Sequence, residues 1–225
     1  MAKSAWVFGA TGLIGGHVTR ILSQDDRYSA IHIFSRRPVQ LAFPKVTVHV
    51  IDFDHLPKGL PEAPPADIYC CLGTTIKKAG SQERFLRVDK QIPLQIANYA
   101  AGQQVPNYLI VTAMGAKADS PIFYNRVKGE TEEGLKALHL PYLGIARPAL
   151  LLGARDENRP GEAVAQSIFK AINPLMIGPL KSVKAIPGEV VAQAMIEMAN
   201  QATPASNVEI VENAELWDLG ESAIS

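Results

Sequence analysis

The chain has 225 residues, and 22 Lys and Arg balance 22 Asp and Glu for a formal charge of zero. That balance gives no electrostatic pull toward nucleic acid or an anionic membrane, and no apolar run reaches the roughly 20 residues of a membrane span. Met1-Ala2-Lys3-Ser4 leads into a strand-like segment with no secretory cleavage pattern, and two adjacent cysteines, Cys70 and Cys71, cannot build a disulfide framework.

The N-terminal half alternates short apolar runs with helical patterns. Ala5 to Gly9 reads as a strand apolar on both faces, as expected when helices cover a sheet on both sides. A helix follows from about Leu13 to Leu22, with Leu13, Ile14, Val18, Ile21 and Leu22 on one side. Further strands are expected at Ala30–Phe34, Val46–Ile51 and Asp67–Leu72. The four prolines between Leu56 and Pro65 exclude a regular helix there and mark a connector. A long helix at about Gln82–Ala101 precedes a strand at Tyr108–Thr112, a helix at about Ile122–His139 and a strand at Tyr142–Ala146. From Gly161 the pattern is two or three helices with one strand candidate at Asn207–Val211; Ala163–Ile172 reads as core or dimer surface. Repeated strand–helix–strand order predicts an α/β fold: a doubly wound parallel sheet, the Rossmann arrangement, with a small C-terminal helical extension. A single domain over residues 1–225 is expected, with a substrate or lid part from about residue 154 to 225. Soluble, cytoplasmic placement is expected, and a homodimer would be compatible with the helical patterns.

The strongest local signal is Gly9-Ala10-Thr11-Gly12-Leu13-Ile14-Gly15, which joins the first strand to the first helix. Glycines there permit a tight turn and close approach of a phosphate, and the helix N-terminus supplies free N–H groups for it. The spacing is G-x-x-G-x-x-G. The second strand ends Phe34-Ser35-Arg36-Arg37, without the carboxylate that would hold a ribose 2′-hydroxyl. Two guanidiniums suit a 2′-phosphate, so NADP(H) is favoured over NAD(H); a plain solvated loop is the alternative. Asp52, after the third strand, suits an adenine amino group or the cap of the next turn, with Phe53 beside it. Leu72-Gly73-Thr74 brings glycine and a hydroxyl to the same sheet edge.

Tyr124 and Lys128 lie four apart on a helix and share one face, where an ammonium would favour tyrosinate and proton transfer. Thr112, at the end of the fifth strand, offers a hydroxyl to a substrate carbonyl. Five scattered histidines form no metal-ligand spacing, so no metal site is expected, and His32 and His49 are expected to be satisfied by local hydrogen bonds. Burial as small hydrophobes is expected of Cys70 and Cys71. The polar run Arg155–Arg159 reads as a solvated loop or a gate to substrate.

Together these residues resemble the short-chain dehydrogenase/reductase superfamily in its extended and atypical branches, over about residues 4–200. Tyr124 to Glu130 (YNRVKGE) and Arg147 to Glu162 (RPALLLGARDENRPGE) are similar to the oxidoreductase-like family of the Tat-interacting protein and its bacterial homologues. The resemblance implies that Gly9, Thr11, Gly12, Leu13, Ile14 and Gly15 form or line the phosphate turn. It puts Arg36 on the 2′-phosphate, Asp52 and Phe53 at the adenine, and Leu72, Gly73 and Thr74 beneath the riboses. Tyr124 would be the proton donor, Lys128 the ribose anchor and Pro148 a contact of the nicotinamide. Two residues depart from the family pattern: Thr112 replaces a serine, and Asp89 stands where many members have Asn. The implied activity is NADP(H)-dependent hydride transfer to or from a small carbonyl or alcohol. The alternative is a cofactor-binding sensor or interaction protein with little turnover.

Overall fold

Continuous apolar runs in the central strands give the sheet two hydrophobic faces. In a computed structural model, which describes residues 2–153, 182–203 and 207–223, the strands are Lys3–Phe8 (β1), Tyr28–Ser35 (β2), Val46–Val50 (β3), Asp67–Cys70 (β4), Asn107–Val111 (β5), Tyr142–Arg147 (β6) and Val208–Glu212 (β9). They form one seven-stranded sheet in the order β3-β2-β1-β4-β5-β6-β9, every pairing parallel. The doubly wound parallel sheet expected from the sequence is therefore present. A second, two-stranded sheet pairs Leu151–Leu152 (β7) with Ile186–Pro187 (β8). These strands of two residues are too short to leave a periodic signal. The segment from Leu56 to Pro65 holds neither helix nor strand, as its prolines require.

On one face, Val7, Ile33, Leu109 and Val111 pack under Leu13–Gln24 (α1), Gly188–Gln201 (α6) and Asn213–Ser222 (α7). On the other, Trp6, Phe8, Ile68, Tyr108 and Ile110 pack under the long helical segment and Phe123–Lys136 (α5). That segment runs through Ile76–Ala79 (α2), Gln82–Leu86 (α3), a π turn at Arg87–Gln91 and Ile92–Gly102 (α4). Pro93 explains the π turn. It has no N–H to give to the carbonyl of Asp89, four residues earlier, so the helix widens and the Thr131 hydroxyl donates to that carbonyl at 3.1 Å. The expected helices from Ala163 to Ile172 and the run Arg155–Arg159 lie outside the described residues.

Two polar clusters sit inside this frame. At the N-terminal edge of the sheet, Asp67 is fully buried. It accepts from Tyr28 Oη at 2.5 Å and Asn107 Nδ2 at 2.6 Å, and Lys3 Nζ lies 3.6 Å away. Burial raises the Asp67 pKa despite these donors. On the outer strands β2 and β3, His32 Nδ1 and His49 Nε2 are 2.8 Å apart, the local satisfaction expected of them.

Burial lowers the pKa of both rings, aided in His32 by its neighbour, and burial also lowers that of His17 on α1. The folded protein therefore holds these rings neutral while the unfolded chain takes up protons below about pH 6.5. The unfolded state binds more protons in that window, so stability falls as pH falls from 7.5 to 5. The melting temperature should drop over that interval, and His32→Val/His49→Phe should flatten the slope. An unchanged slope in the double variant would assign it to other groups.

Candidate functional site

The strand order reverses at β1, with β2 on one side and β4 on the other, and the crevice at the C-terminal ends of β1 and β4 is where such sheets take ligands. Gly9 has φ +87°, and a Cβ there would lie 2.5 Å from the Cys71 carbonyl oxygen. A Cβ on Gly15 would overlap the Gly9 carbonyl. The turn thus needs hydrogen at both positions. Gly12 caps α1 with no side-chain acceptor, and the first turn of α1 carries no acid. Its backbone donors are left for an anion. Thr11 and Gly12 are exposed, whereas Ile14 is buried in the core. Leu13 is gripped by the C-terminal part: a Cβ on Gly188 would lie 2.6 Å from its Cγ, and one on Gly153 would overlap its Cδ1.

Beyond the ends of β2 and β3 lies an open cleft of about 470 Å3 bordered by Arg36, Val50, Asp52, Phe53, Arg87 and Val88. Val50 is 54% exposed, an apolar floor. Arg36 and Arg37 are exposed, and Ser35 Oγ donates to the Arg37 carbonyl at 2.6 Å. Asp52 caps the short turn Phe53–His55, accepting from Asp54 N–H at 2.9 Å and standing 2.7 Å from His55 Nδ1. The Asp54 N–H and His55 hold its carboxyl below the usual range. Of the two readings of Asp52, the cap is the one realised by these contacts. Arg87, which the sequence reading missed, closes the far wall by donating to Asp54 and to the Phe53 carbonyl at 2.8 Å. No periodic or motif signal marks it.

On the opposite side of β4, α5 places Tyr124 and Lys128 one turn apart, as the spacing predicts. Lys128 Nζ lies 2.8 Å from Asp89 Oδ1, and Asp89 Oδ2 accepts the Thr74 N–H at 2.9 Å. A Cβ on Gly73 would meet Asp89 Oδ1 at 3.6 Å and Lys128 Nζ at 3.9 Å. Leu72-Gly73-Thr74, Lys128 and Asp89 therefore converge. The Phe85 ring packs 5.7 Å from Tyr124. Pro148, after β6, accepts the Met114 N–H at 2.9 Å, which joins the loops after β5 and β6 beside this end. Cys70 is buried and Cys71 packs against the core, and burial pushes both thiols up, as small hydrophobes should behave.

Thr112 is a correction. Strand alternation puts it with Tyr108 and Ile110 on the face under α5, where its hydroxyl is buried and donates to Glu132 Oε1 at 2.6 Å. Its single proton is committed away from the crevice. Glu132 is in turn gripped by Arg147, through Nε at 3.0 Å and through Nη2, while Arg147 Nη1 reaches Glu212 at 2.8 Å. The Glu132 contact holds the Arg147 pKa above its ordinary value against desolvation. Neither Glu132 nor the role of Arg147 was visible from motifs, because their partners come from α5, β6 and β9.

No family model matches the chain. It is 31% identical to protein HTATIP2 of Rattus norvegicus over 98% of its own length and 90% of that relative. It is 32% identical to the mitochondrial protein fmp52 of Emericella nidulans, covering 97% of the chain and 95% of the relative. Among solved structures it resembles an oxidoreductase of the short-chain dehydrogenase/reductase family from Burkholderia thailandensis, with a TM-score of 0.68 at 16% identity, over 97% of this chain and 94% of that one. It also resembles the ADP-L-glycero-D-manno-heptose-6-epimerase of Helicobacter pylori, TM-score 0.71 at 14% identity, over 94% and 76% of the two chains. The human epimerase family protein SDR39U1, solved with NADPH, aligns with a TM-score of 0.57 at 18% identity, over 94% and 77%. The expectation of a cytoplasmic location is overturned by the fungal relatives, several of which are named as mitochondrial. Composition excludes classes of fold but carries no address. No helix among the described residues is long and apolar enough to cross a membrane.

Proposed function

The chain belongs to the family of proteins HTATIP2 and FMP52, an atypical branch of the short-chain dehydrogenase/reductase superfamily, and from that membership we propose that it is an NADP(H)-dependent oxidoreductase acting on a small carbonyl or alcohol. The observation that carries the reading is the glycine turn at the end of β1, which lies at the same sheet edge as the Arg36 cleft beyond β2 and as Gly73, which meets Lys128, beyond β4. Its residues fit a dinucleotide: a turn that Cβ atoms would fill at Gly9 and Gly15, an uncapped helix N-terminus, and a cleft bordered by a guanidinium. Gly12 and the first turn of α1 would take the pyrophosphate, Arg36 with Arg37 the 2′-phosphate, Val50 and Phe53 the adenine, and Lys128 the nicotinamide ribose. When bound, the nicotinamide supplies or accepts the hydride. Tyr124 gives its phenolic proton to the carbonyl oxygen in reduction and takes it back in oxidation.

A thermal-shift titration with NADPH and NADH in parallel tests the reading. A ligand that binds only the folded state stabilises it by about 2.7 kcal/mol at a hundredfold excess over Kd. Wild type should respond strongly to NADPH and weakly to NADH, and Arg36→Ala should weaken NADPH by about tenfold or more while leaving NADH unchanged. Equal responses to both coenzymes would sink the 2′-phosphate assignment. The commitment of Thr112 to Glu132 favours a second reading, a cofactor-dependent regulator with little turnover, because it removes one side-chain donor from the chemistry. Tyr124→Phe separates the two. Lost carbonyl reduction with NADPH binding retained supports the enzyme; the absence of any activity to lose supports the regulator.

A further inference from the structure

Asp89 and Lys128 are the most deeply buried ion pair among the described residues, with side chains 1% and 5% exposed. Asp89 is held from two sides, by an ion pair and a hydrogen bond from α5 and by a hydrogen bond from the loop after β4. Oδ1 faces Lys128 Nζ on α5 at 2.8 Å, Oδ2 takes the Thr74 N–H after β4 at 2.9 Å, and the main-chain carbonyl takes the Thr131 hydroxyl at 3.1 Å. The π turn forced by Pro93 is what frees that carbonyl. An Asn at this position could still accept from Thr74, but it could not balance the lysine charge.

We infer that Asp89 is a positioning residue of this site: its carboxylate is the counter-ion that keeps the buried Lys128 charged and fixed between Gly73 and Tyr124. The roles of Tyr124 and Lys128 come from the proposed function, on which this inference rests. The ionisable groups acting on Lys128 are Asp89 from the π turn, Tyr124 from its own helix and Cys70 from β4. Lys128 acts in turn on Asp89, and the neighbouring Lys90 and Glu130 are paired with each other at 2.7 Å. Burial opposes the charge on Lys128, and Asp89 with Tyr124 outweighs it, leaving the amine above its ordinary pKa. Without Asp89, burial acts against the ammonium with one fewer counterweight.

The test starts without any coenzyme. Unfolding of wild type, Asp89→Asn and Asp89→Asn/Lys128→Met is followed from pH 7 to 10. Asp89→Asn should melt roughly 5–10 °C below wild type at pH 7. In that variant the folded state gives up the Lys128 proton at lower pH than the unfolded chain does, so its stability rises with pH and the gap to wild type narrows. The double variant should show no narrowing. A constant gap, or narrowing that survives in the double variant, would overturn the inference. If Asp89→Asn does not fold, Lys128→Met gives the reciprocal result. Burial already lifts the Asp89 carboxyl in wild type against the pull of Lys128, and without the ammonium it is lifted further, so stability relative to wild type should fall as pH rises from 5 to 8, and a flat difference would overturn the inference. With coenzyme added, the NADPH Kd of Asp89→Asn should rise about tenfold between pH 7 and 9, with wild type nearly level. A wild type that binds neither NADPH nor NADH overturns the proposed function instead, and the coenzyme-free gap still decides the role of Asp89.

Discussion

Gly9→Ala should abolish coenzyme binding and destabilise the fold together. The position has φ +87°, where an L side chain is strained by about 1–2 kcal/mol. The new Cβ would also stand 2.5 Å from the Cys71 carbonyl oxygen and 2.7 Å from its carbon, rigid backbone at the end of β4. Relief requires β1 and β4 to part at the point where the crevice opens. Strain and overpacking together cost roughly 2–5 kcal/mol, a melting-temperature loss of about 10 °C for a chain of this size. Gly12→Ala is the contrast. Its backbone is extended at φ −88°, and the nearest atom to its Cβ is the Gly9 carbonyl oxygen at 3.3 Å. It should fold nearly as wild type in unfolding experiments yet lose most of the thermal shift with NADPH, since the added methyl stands where a phosphate must approach backbone. Equal stability losses in both variants would show that the glycines serve packing alone.

Glu132→Leu should be the most damaging substitution away from the glycine turn. Glu132 is 1% exposed and satisfies both Arg147 and Thr112. Removing it leaves a largely buried guanidinium with only the half-exposed Glu212, and breaking a buried pair in this way costs roughly 3–5 kcal/mol. The expected fall in melting temperature is about 6–15 °C. Thr112→Val removes only the hydroxyl and should cost roughly 1.5–3 kcal/mol, because the lost bond was to a charged acceptor. The two variants also judge the chemistry. With Thr112 turned toward Glu132, Thr112→Val should keep NADPH affinity within about threefold of wild type, a change of well under 1 kcal/mol. Carbonyl reduction lost in Thr112→Val as fully as in Tyr124→Phe, with stability unchanged, would return the hydroxyl to the substrate.

Leu13 ties the start of α1 to the chain after β6. It leads α1 out of the glycine turn, and Gly153 and Gly188 leave just the space its branched end fills. Those glycines flank the small β7–β8 sheet, and Arg20 on α1 meets Glu189 on α6 at 2.5 Å on the same side.

Local rules were enough for much of this protein. Apolar runs located the strands of the main sheet within about two residues: the central strands are buried on both faces and apolar along nearly their whole length, whereas the edge strands β3 and β9 alternate with Thr, His and Glu. The glycine spacing located the tight turn between β1 and α1, because φ +87° and a carbonyl 2.5 Å away are demands that glycine alone meets. The four-residue step placed Tyr124 and Lys128 on one helical face. What the sequence left open was which distant partner each polar side chain would find. Asp52 was equally suited to an adenine or to a cap until the turn Phe53–His55 formed around it. Thr112 looked available at a strand end, and only the packing of α5 against β5 and β6 turned its hydroxyl toward Glu132 and Arg147. Asp89 met Lys128 and Thr74 because Pro93 opened a π turn and the sheet carried β4 beside α5. Backbone conformation obeys interactions a few residues long, whereas a buried charge is satisfied by whichever strand or helix the fold brings against it.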